Sequence, residues 1–312
     1  KMKNINYIIV TFLISLFLFS CEKEIDVDLP QPEVKLVVEG VIETDAFPYV
    51  VLSKSSAFFD PTDINSVASS YVSNATITIS DGTTTNTMTK LCSATLTDEQ
   101  KEQLGGLLGI PFAVLKNFNI CGFTDLTMVG EEGKTYSIKV NWEGEEYNSS
   151  TTIVPVVPLD STWFEVFGDR DSLGFVYAFL SDPAVEGNAY RWYARRINSY
   201  TYGDNVGEQK DTRFLPPTSS VFDDEFVNGT TFEFGYNRAR GSEKADDLPP
   251  ERGFFKVGDT VVVKFCSIDR KVHDFIDKAE EQQLSTGNPF AAPINIKSNI
   301  SNGALGLWAG YS

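Results

Sequence analysis

Carboxylates, one histidine and one cysteine are the residues of this chain whose types could do chemistry. Asp223-Asp224-Glu225 and Asp246-Asp247 fall in residues 200–250, a stretch of low strand content, and loops of that kind carry binding and catalytic groups. Loop carboxylates can hold calcium through hard oxygen donors, but their spacing here matches no calcium loop. A glycosidase would need two of them about 5–10 Å apart, which a sequence does not test, and solvated charge is the plainer role for such runs. The single histidine, His273, lies between Val272 and Asp274 in a helical pattern, where a helix-face role outweighs that of a general base. Cys266 and His273 are a conceivable nucleophile and base. Against that pairing, the strand pattern points Cys266 toward a packed environment, and more than a helical turn separates the two. No G-x-S-x-G, H-E-x-x-H or EF-hand loop occurs, and no C-x-x-C pair for redox or zinc work. We therefore assign no catalytic residue and expect no metal or cofactor. Tyr200 and Tyr202, beside Gly203, are the candidate stacking contacts for a ligand, with Asp223, Asp224 and Glu225 as its polar contacts.

The other chemically marked residue is Cys21. Lys1 and Lys3 precede an apolar run over residues 7–19, broken only by Thr11 and Ser15, and Leu18-Phe19-Ser20 leads into Cys21. A transmembrane helix needs about 20 apolar residues, and this run is shorter and abruptly followed by Glu22, Lys23 and Glu24. The pattern is that of a signal peptide, residues 1–20, with a cysteine at its cleavage point. A small residue directly before cysteine resembles the bacterial lipobox, which implies lipidation of Cys21 and a lipid bilayer as partner. Glu22, Glu24, Asp26 and Asp28 make residues 21–33 a solvated tether. Acids just after the lipidated cysteine also resemble the signal that sends Bacteroidota lipoproteins to the outer face of the outer membrane. Two or more acyl chains hold a protein there stably, at about 0.8 kcal/mol per buried methylene.

A formal charge of -17 keeps the chain soluble and repels polyanions, which argues against nucleic acid as a partner. With 42% apolar residues the chain can bury a core, and 312 residues suggest two domains. Cys92 and Cys121 flank a coherent insert and are the natural disulfide pair in an oxidising compartment, worth about 3 kcal/mol in the chain-entropy model. Strands bounded by Gly, Asn, Asp or Pro are expected at 35–43, 49–53, 75–80, 84–89, 135–142, 147–154, 163–167, 175–180, 190–197, 230–236 and 260–267. Two helices interrupt them. Thr97 and Gln100 have capping-box spacing at the start of TDEQKEQLGGLL, inside the cysteine loop. Val272, Phe275, Ile276 and Ala279 recur at i, i+3, i+4 and i+7 in a second helix that stops before Gly287 and packs across a sheet. Pro155-Val156-Val157-Pro158 marks a boundary between residues 34–155 and 156–312. Gly303, Gly306 and Gly310 are placed to let a terminal strand pass close to its neighbour.

The expected fold class is mainly β, as two β-sandwich domains of immunoglobulin or transthyretin-like type with a short helical insert and one helix in the C-terminal half. The strand order of the first half resembles the transthyretin or carboxypeptidase-regulatory sandwich, an architecture that brings no activity with it. A set of motifs spans the chain: C-x-x-x-I-D at Cys21, LVVEG at Leu36, a proline pair before Leu159-Asp160-Ser161, GDTVVV at Gly258, Ser267-Ile268-Asp269, and the closing SNISNGALGLWAGYS. Together they resemble an uncharacterised family of Bacteroidota outer-membrane lipoproteins, a domain of unknown function. Members are commonly encoded beside TonB-dependent receptors, which implies such a transporter as partner and supplies no catalytic residue. Asp160-Ser161-Thr162, Asp171-Ser172-Leu173 and Asp259-Thr260-Val261 resemble Bacteroidota O-glycosylation acceptors, with Ser161, Ser172 and Thr260 as the modified residues. The expected function is a surface lipoprotein that serves a transporter, without enzymatic activity of its own. A surface hydrolase using the loop carboxylates and an adhesive module are the alternatives.

Overall fold

The computed structural model describes residues 33–57, 63–239, 251–288 and 291–312. The leader, Cys21, most of the tether and Asp246-Asp247 lie outside the described residues. The first half of the chain runs β1 (Leu36–Glu43), β2 (Tyr49–Lys54), helix α1 (Ile64–Ser70), β3 (Thr76–Ser80), β4 (Thr85–Thr87), β5 (Thr89–Cys92), helices α2 (Asp98–Leu108) and α3 (Phe112–Asn117), β6 (Cys121–Thr124), β7 (Thr135–Trp142) and β8 (Glu145–Thr152). The second half runs β9 (Ser161–Val166), β10 (Leu173–Ser181), β11 (Ala189–Arg196), β12 (Val221–Asp223), β13 (Thr231–Tyr236), β14 (Phe255–Lys256), β15 (Val261–Ile268), helix α4 (Arg270–Ser285) and β16 (Leu305–Tyr311). The protein is mainly β, with few helices.

Strict alternation in β7 turns Tyr136, Ile138, Val140 and Trp142 inward and leaves its other residues in solvent. The sheet β4-β3-β7-β8 thereby packs on Leu36, Val38, Ile42, Val50 and Leu52 of a large sheet ordered β12-β11-β15-β16-β1-β2-β6-β5. A second small sheet, β13-β10-β14 with β9 on the other edge of β10, lays Val176, Ala178, Phe234 and Tyr236 against Trp192, Ala194, Val263 and Phe265 of the same large sheet. In-register residues share a face, so both small sheets cover one side of the large sheet. The opposite side receives α4, through Val272, Phe275 and Ile276 on Ala189, Cys266, Ala309 and Tyr311.

The proline junction at 155–158 does not divide the chain into separate bodies, since Val34–Ser312 forms one compact unit. The reason is the return of the chain end. β16 pairs parallel with β1 over seven residues, from Val37↔Leu305 to Glu43↔Tyr311, and meets β15 at Ile268↔Tyr311. Trp308 of β16 is fully buried, and its Nε1–H donates to the Tyr136 carbonyl at 2.9 Å. A Cβ at Gly40 would stand 2.6 Å from the Trp308 ring, and one at Gly306, whose φ is +103°, would meet the Val38 carbonyl, so both positions admit only glycine. The Asn299 side chain acts as a substitute strand, accepting from Trp308 N at 2.9 Å and donating to Trp308 O at 2.7 Å.

Two buried ion pairs brace the second half. Asp211 accepts from Arg196 N at 2.8 Å, from Nε at 3.0 Å and from Nη2 at 2.9 Å, with both side chains 2% exposed. Lys210 reaches Asp259 at 2.6 Å. Removing one partner of such a pair strands the other charge.

Replacing Trp308 by alanine is expected to lower the unfolding free energy by about 3–5 kcal/mol in urea titrations, the cost of emptying a buried indole site. A loss below about 1 kcal/mol would show that β16 is dispensable.

Candidate functional site

The free face of the large sheet is the floor of a trough. β1 contributes Val37, Glu39, Val41 and Glu43, and β16 contributes Leu305, Leu307, Ala309 and Tyr311. Tyr49 and Val51 of β2 extend the floor on one side, and Arg191, Tyr193 and Arg195 of β11 with Lys264 of β15 extend it on the other. One wall is α4, through Phe275, Ala279, Glu280 and Gln283. The facing wall is the α2–α3 insert, through Gln103, Leu108 and Ile110, joined by Thr212, Arg213 and Phe214. The trough is open along its length and has a volume of about 1210 Å³, above the roughly 300–1,000 Å³ common for small-molecule sites.

Both walls are fixed by local chemistry. Asp269 caps α4 by accepting from Val272 N at 2.9 Å, while its second oxygen accepts from Thr151 Oγ1 at 2.8 Å and Thr152 N at 3.2 Å on β8. Glu280, further along α4, accepts from Ser220 N at 2.8 Å. The insert begins and ends at the Cys92–Cys121 disulfide, which joins β5 and β6 in register. Thr97 and Gln100 form the expected reciprocal capping box on α2, and Gly109 ends that helix in the left-handed region. Ile110, Val114, Leu115 and Ile120 give the insert a core of its own.

The trough is electrostatically uneven. Lys264 pairs with Glu43 at 2.7 Å. Arg191 donates to the Tyr311 hydroxyl at 2.8 Å and lies 4.8 Å from the Tyr193 ring centroid. Arg195 lies 4.9 Å from the Phe214 ring, and its buried Nε has no hydrogen-bond partner among the described residues. Glu39 stays exposed to solvent, and partial desolvation by the trough around it raises its carboxyl above the ordinary carboxylate value. Tyr49 is likewise raised by burial and then by Glu43, and Tyr193 by burial and then by Tyr311.

A second cleft of about 1000 Å³ lies where Thr78, Ser80, Ser137 and Ser150 on the outer side of the first small sheet face Lys271 and Lys297. Its lining is largely sheet hydroxyls of the kind any solvated strand face presents.

The expected contact residues do not assemble. Tyr200 is 2% exposed and packs edge-on against Tyr202, with centroids 5.9 Å apart, so its ring presents no face to a ligand. The Tyr202 hydroxyl donates to Glu251 at 2.7 Å. Asp223 pairs with Arg270 at 2.7 Å, Asp224 is buried and accepts from Gly187 N and Asn188 N at 2.8 and 2.9 Å, and Glu225 points to solvent. Three adjacent acids thus serve three unrelated purposes, two of them folding bonds around the end of β12. Among the described residues no three His, Cys, Asp or Glu side chains gather as metal ligands. Cys266 is a free, buried thiol on β15, with its pKa pushed up to about 11 by burial, and His273 is 7% exposed on α4 beside Asp274 at 3.1 Å. Ser161 and Thr260 are exposed and Ser172 is half-buried.

Sequence reasoning alone misses Arg191, Arg195, Arg213, Glu39 and Tyr49. The signal available is the alternation in AYRWYARR, which puts Arg191, Tyr193 and Arg195 on one strand face opposite the buried Tyr190, Trp192 and Ala194.

The architecture defines a mainly β protein of sandwich type with a trough on its helical side. The chain belongs to the family described as a domain of unknown function (DUF4249), which it matches over residues 22–312. No curated protein matches it. Among solved structures it is similar to the cycloalternan-degrading enzyme from Trueperella pyogenes in complex with cycloalternan, at 10% identity and a TM-score of 0.22. That similarity covers 81% of this chain and 36% of the enzyme, so the chain spans little more than a third of the enzyme's length, and the likeness implies no activity here.

Two outcomes check this geometry. The Cys266 peptide is expected to stay unmodified by iodoacetamide at pH 8 in native protein and to react fully in 6 M guanidinium, read by mass spectrometry. Glu39→Gln is expected to raise the urea midpoint only slightly at pH 7.5, because the side chain keeps contact with solvent, and to leave it unchanged at pH 3.5. A carboxyl whose folded pKa is raised opposes folding once it ionises and has no effect below its unfolded value.

Proposed function

We propose that this protein is a non-enzymatic ligand-capture lipoprotein that holds its cargo in the trough of the large sheet and works beside an outer-membrane transporter. The trough itself carries the reading. It is wide enough for a small molecule, its floor is sheet, and its lining interleaves apolar side chains such as Leu307, Phe275 and Ile110 with charged and polar ones. The dispersal of Asp223, Asp224 and Glu225 favours this reading over a hydrolase that would use those three carboxylates together. The apolar run ending at Cys21 supports a lipid anchor, and the four acids behind it support display on the cell surface. Anchoring in the transporter's own membrane raises the effective concentration of one for the other, so a modest interface suffices.

The neutral fluorophore N-phenyl-1-naphthylamine is expected to bind saturably at one site with a blue-shifted emission, and Ala279→Trp, which fills the trough from α4, is expected to abolish that binding. Absence of saturable binding, or binding unaltered in Ala279→Trp with an unchanged melting temperature, would refute the trough as the site. In cells, an alkyne-tagged fatty acid is expected to label the wild type and not Cys21→Ala. Detergent extraction of the labelled protein is expected to recover a TonB-dependent transporter in stoichiometric amount, and recovery of the lipoprotein alone would refute the partnership.

A further inference from the structure

The trough contains three guanidinium groups without an ion pair among the described residues, and two of them, Arg195 and Arg213, lack a hydrogen-bond acceptor there as well. Arg195 and Arg213 form no ion pair among the described residues, whereas Lys264 has Glu43 and Arg191 has the Tyr311 and Ser220 hydroxyls. In a chain with 43 acidic and 26 basic residues, cations find acidic neighbours easily, so two unpaired arginines in one trough are unexpected. Arg195 is held in place by stacking on Phe214, yet its Nε is buried without an acceptor. A buried donor on a charged group is costly to leave unsatisfied, and native structures seldom do so. Arg213 is held next to Phe214 and lies against the end of α2, where a Cβ on Gly109 would be 3.2 Å from its Nη1. The carbonyl end of that helix favours a cation and cannot neutralise it.

From these positions we infer that the trough binds an organic anion with an apolar body, its carboxylate, phosphate or sulfonate held by Arg195 and Arg213 and its body lying along the sheet toward Leu307 and Phe275. The inference rests on the trough being the binding site and adds the charge and polarity of what it holds. Guanidinium forks match planar or tetrahedral oxyanions, and the stacking on Phe214 leaves the edge of Arg195 free to donate. Glu39, two strand pleats along β1 from Glu43 and therefore about 13 Å away, repels an anion from the middle of the floor and gives the ligand one direction. The apolar residues of β16, β1 and α4 then receive the rest of the molecule.

Two fluorophores with one ring system test this: 8-anilino-1-naphthalenesulfonate carries a sulfonate and N-phenyl-1-naphthylamine does not. The sulfonate is expected to bind at least tenfold more tightly, and Arg195→Gln and Arg213→Gln are each expected to cut that preference at least threefold. Added salt should weaken only the anionic probe. Dodecanoate and dodecyl phosphate are expected to displace it, with the tighter of the two naming the headgroup. Dodecyltrimethylammonium and inorganic phosphate are expected to leave it bound. Equal affinity for the two fluorophores, or a preference unchanged in both Gln variants, overturns the inference while leaving the trough a binding site. Failure of both fluorophores to bind overturns the site itself. Arg213→Gln lies in a loop outside the core, so it keeps the test valid if Arg195→Gln misfolds.

Discussion

Trp308 lies wholly inside the protein, with its indole N–H on the Tyr136 carbonyl and its ring against Gly40. These contacts join the last strand to the first strand and to a strand from the middle of the chain. Pairing residues so distant in sequence closes a very long loop, and its entropy must be recovered by burial on both sides of β16. The recovery is visible in the detail around the strand. Gly40 and Gly306 let the backbones approach, Asn299 satisfies the Trp308 peptide, and Gly310 N donates to Thr151 Oγ1 at 2.9 Å.

That one strand also makes the trough. β15 meets β16 at a single register pair, Ile268↔Tyr311, and its Lys264 lies beside Glu43 of β1. The floor therefore broadens where Arg191, Tyr193 and Arg195 of β11 join it. One side of the large sheet is consumed by two small sheets, which leaves the other for α4 and the disulfide-closed insert. Strands hold the floor side chains and capped helices hold the walls, so the trough is preorganised. The acids are spent on structure: Asp211, Asp224, Asp259 and Asp269 are each committed to buried partners.

Much of this was legible beforehand. The strand at 135–142 and the capping box at Thr97 follow from local pattern, and local pattern is where sequence speaks most clearly. The Cys92–Cys121 bridge followed from spacing around an insert, and Gly306 and Gly310 announced a close approach, whereas Gly303 lies in the turn before the strand with open space around it. What could not be read was non-local. Parallel pairing of β16 with β1 has no local signature, so the proline junction suggested two bodies where there is one. The same blindness misplaced the site: Tyr200 and Asp224 look exposed in a polar stretch, but the turns around them fold back and bury both. Arg195 and Arg213 come to line one trough only after β11 and the following loop are brought against the insert.

Residue-resolved hydrogen exchange, with and without saturating 8-anilino-1-naphthalenesulfonate, tests the central claim most directly. The account predicts slowed exchange in residues 103–110, in 212–214 and along α4 from Phe275 to Gln283, with no change in β9 and β10 on the far side of the molecule. Protection confined to β9 and β10, or to the hydroxyl-lined cleft near Ser137 and Lys297, would contradict it.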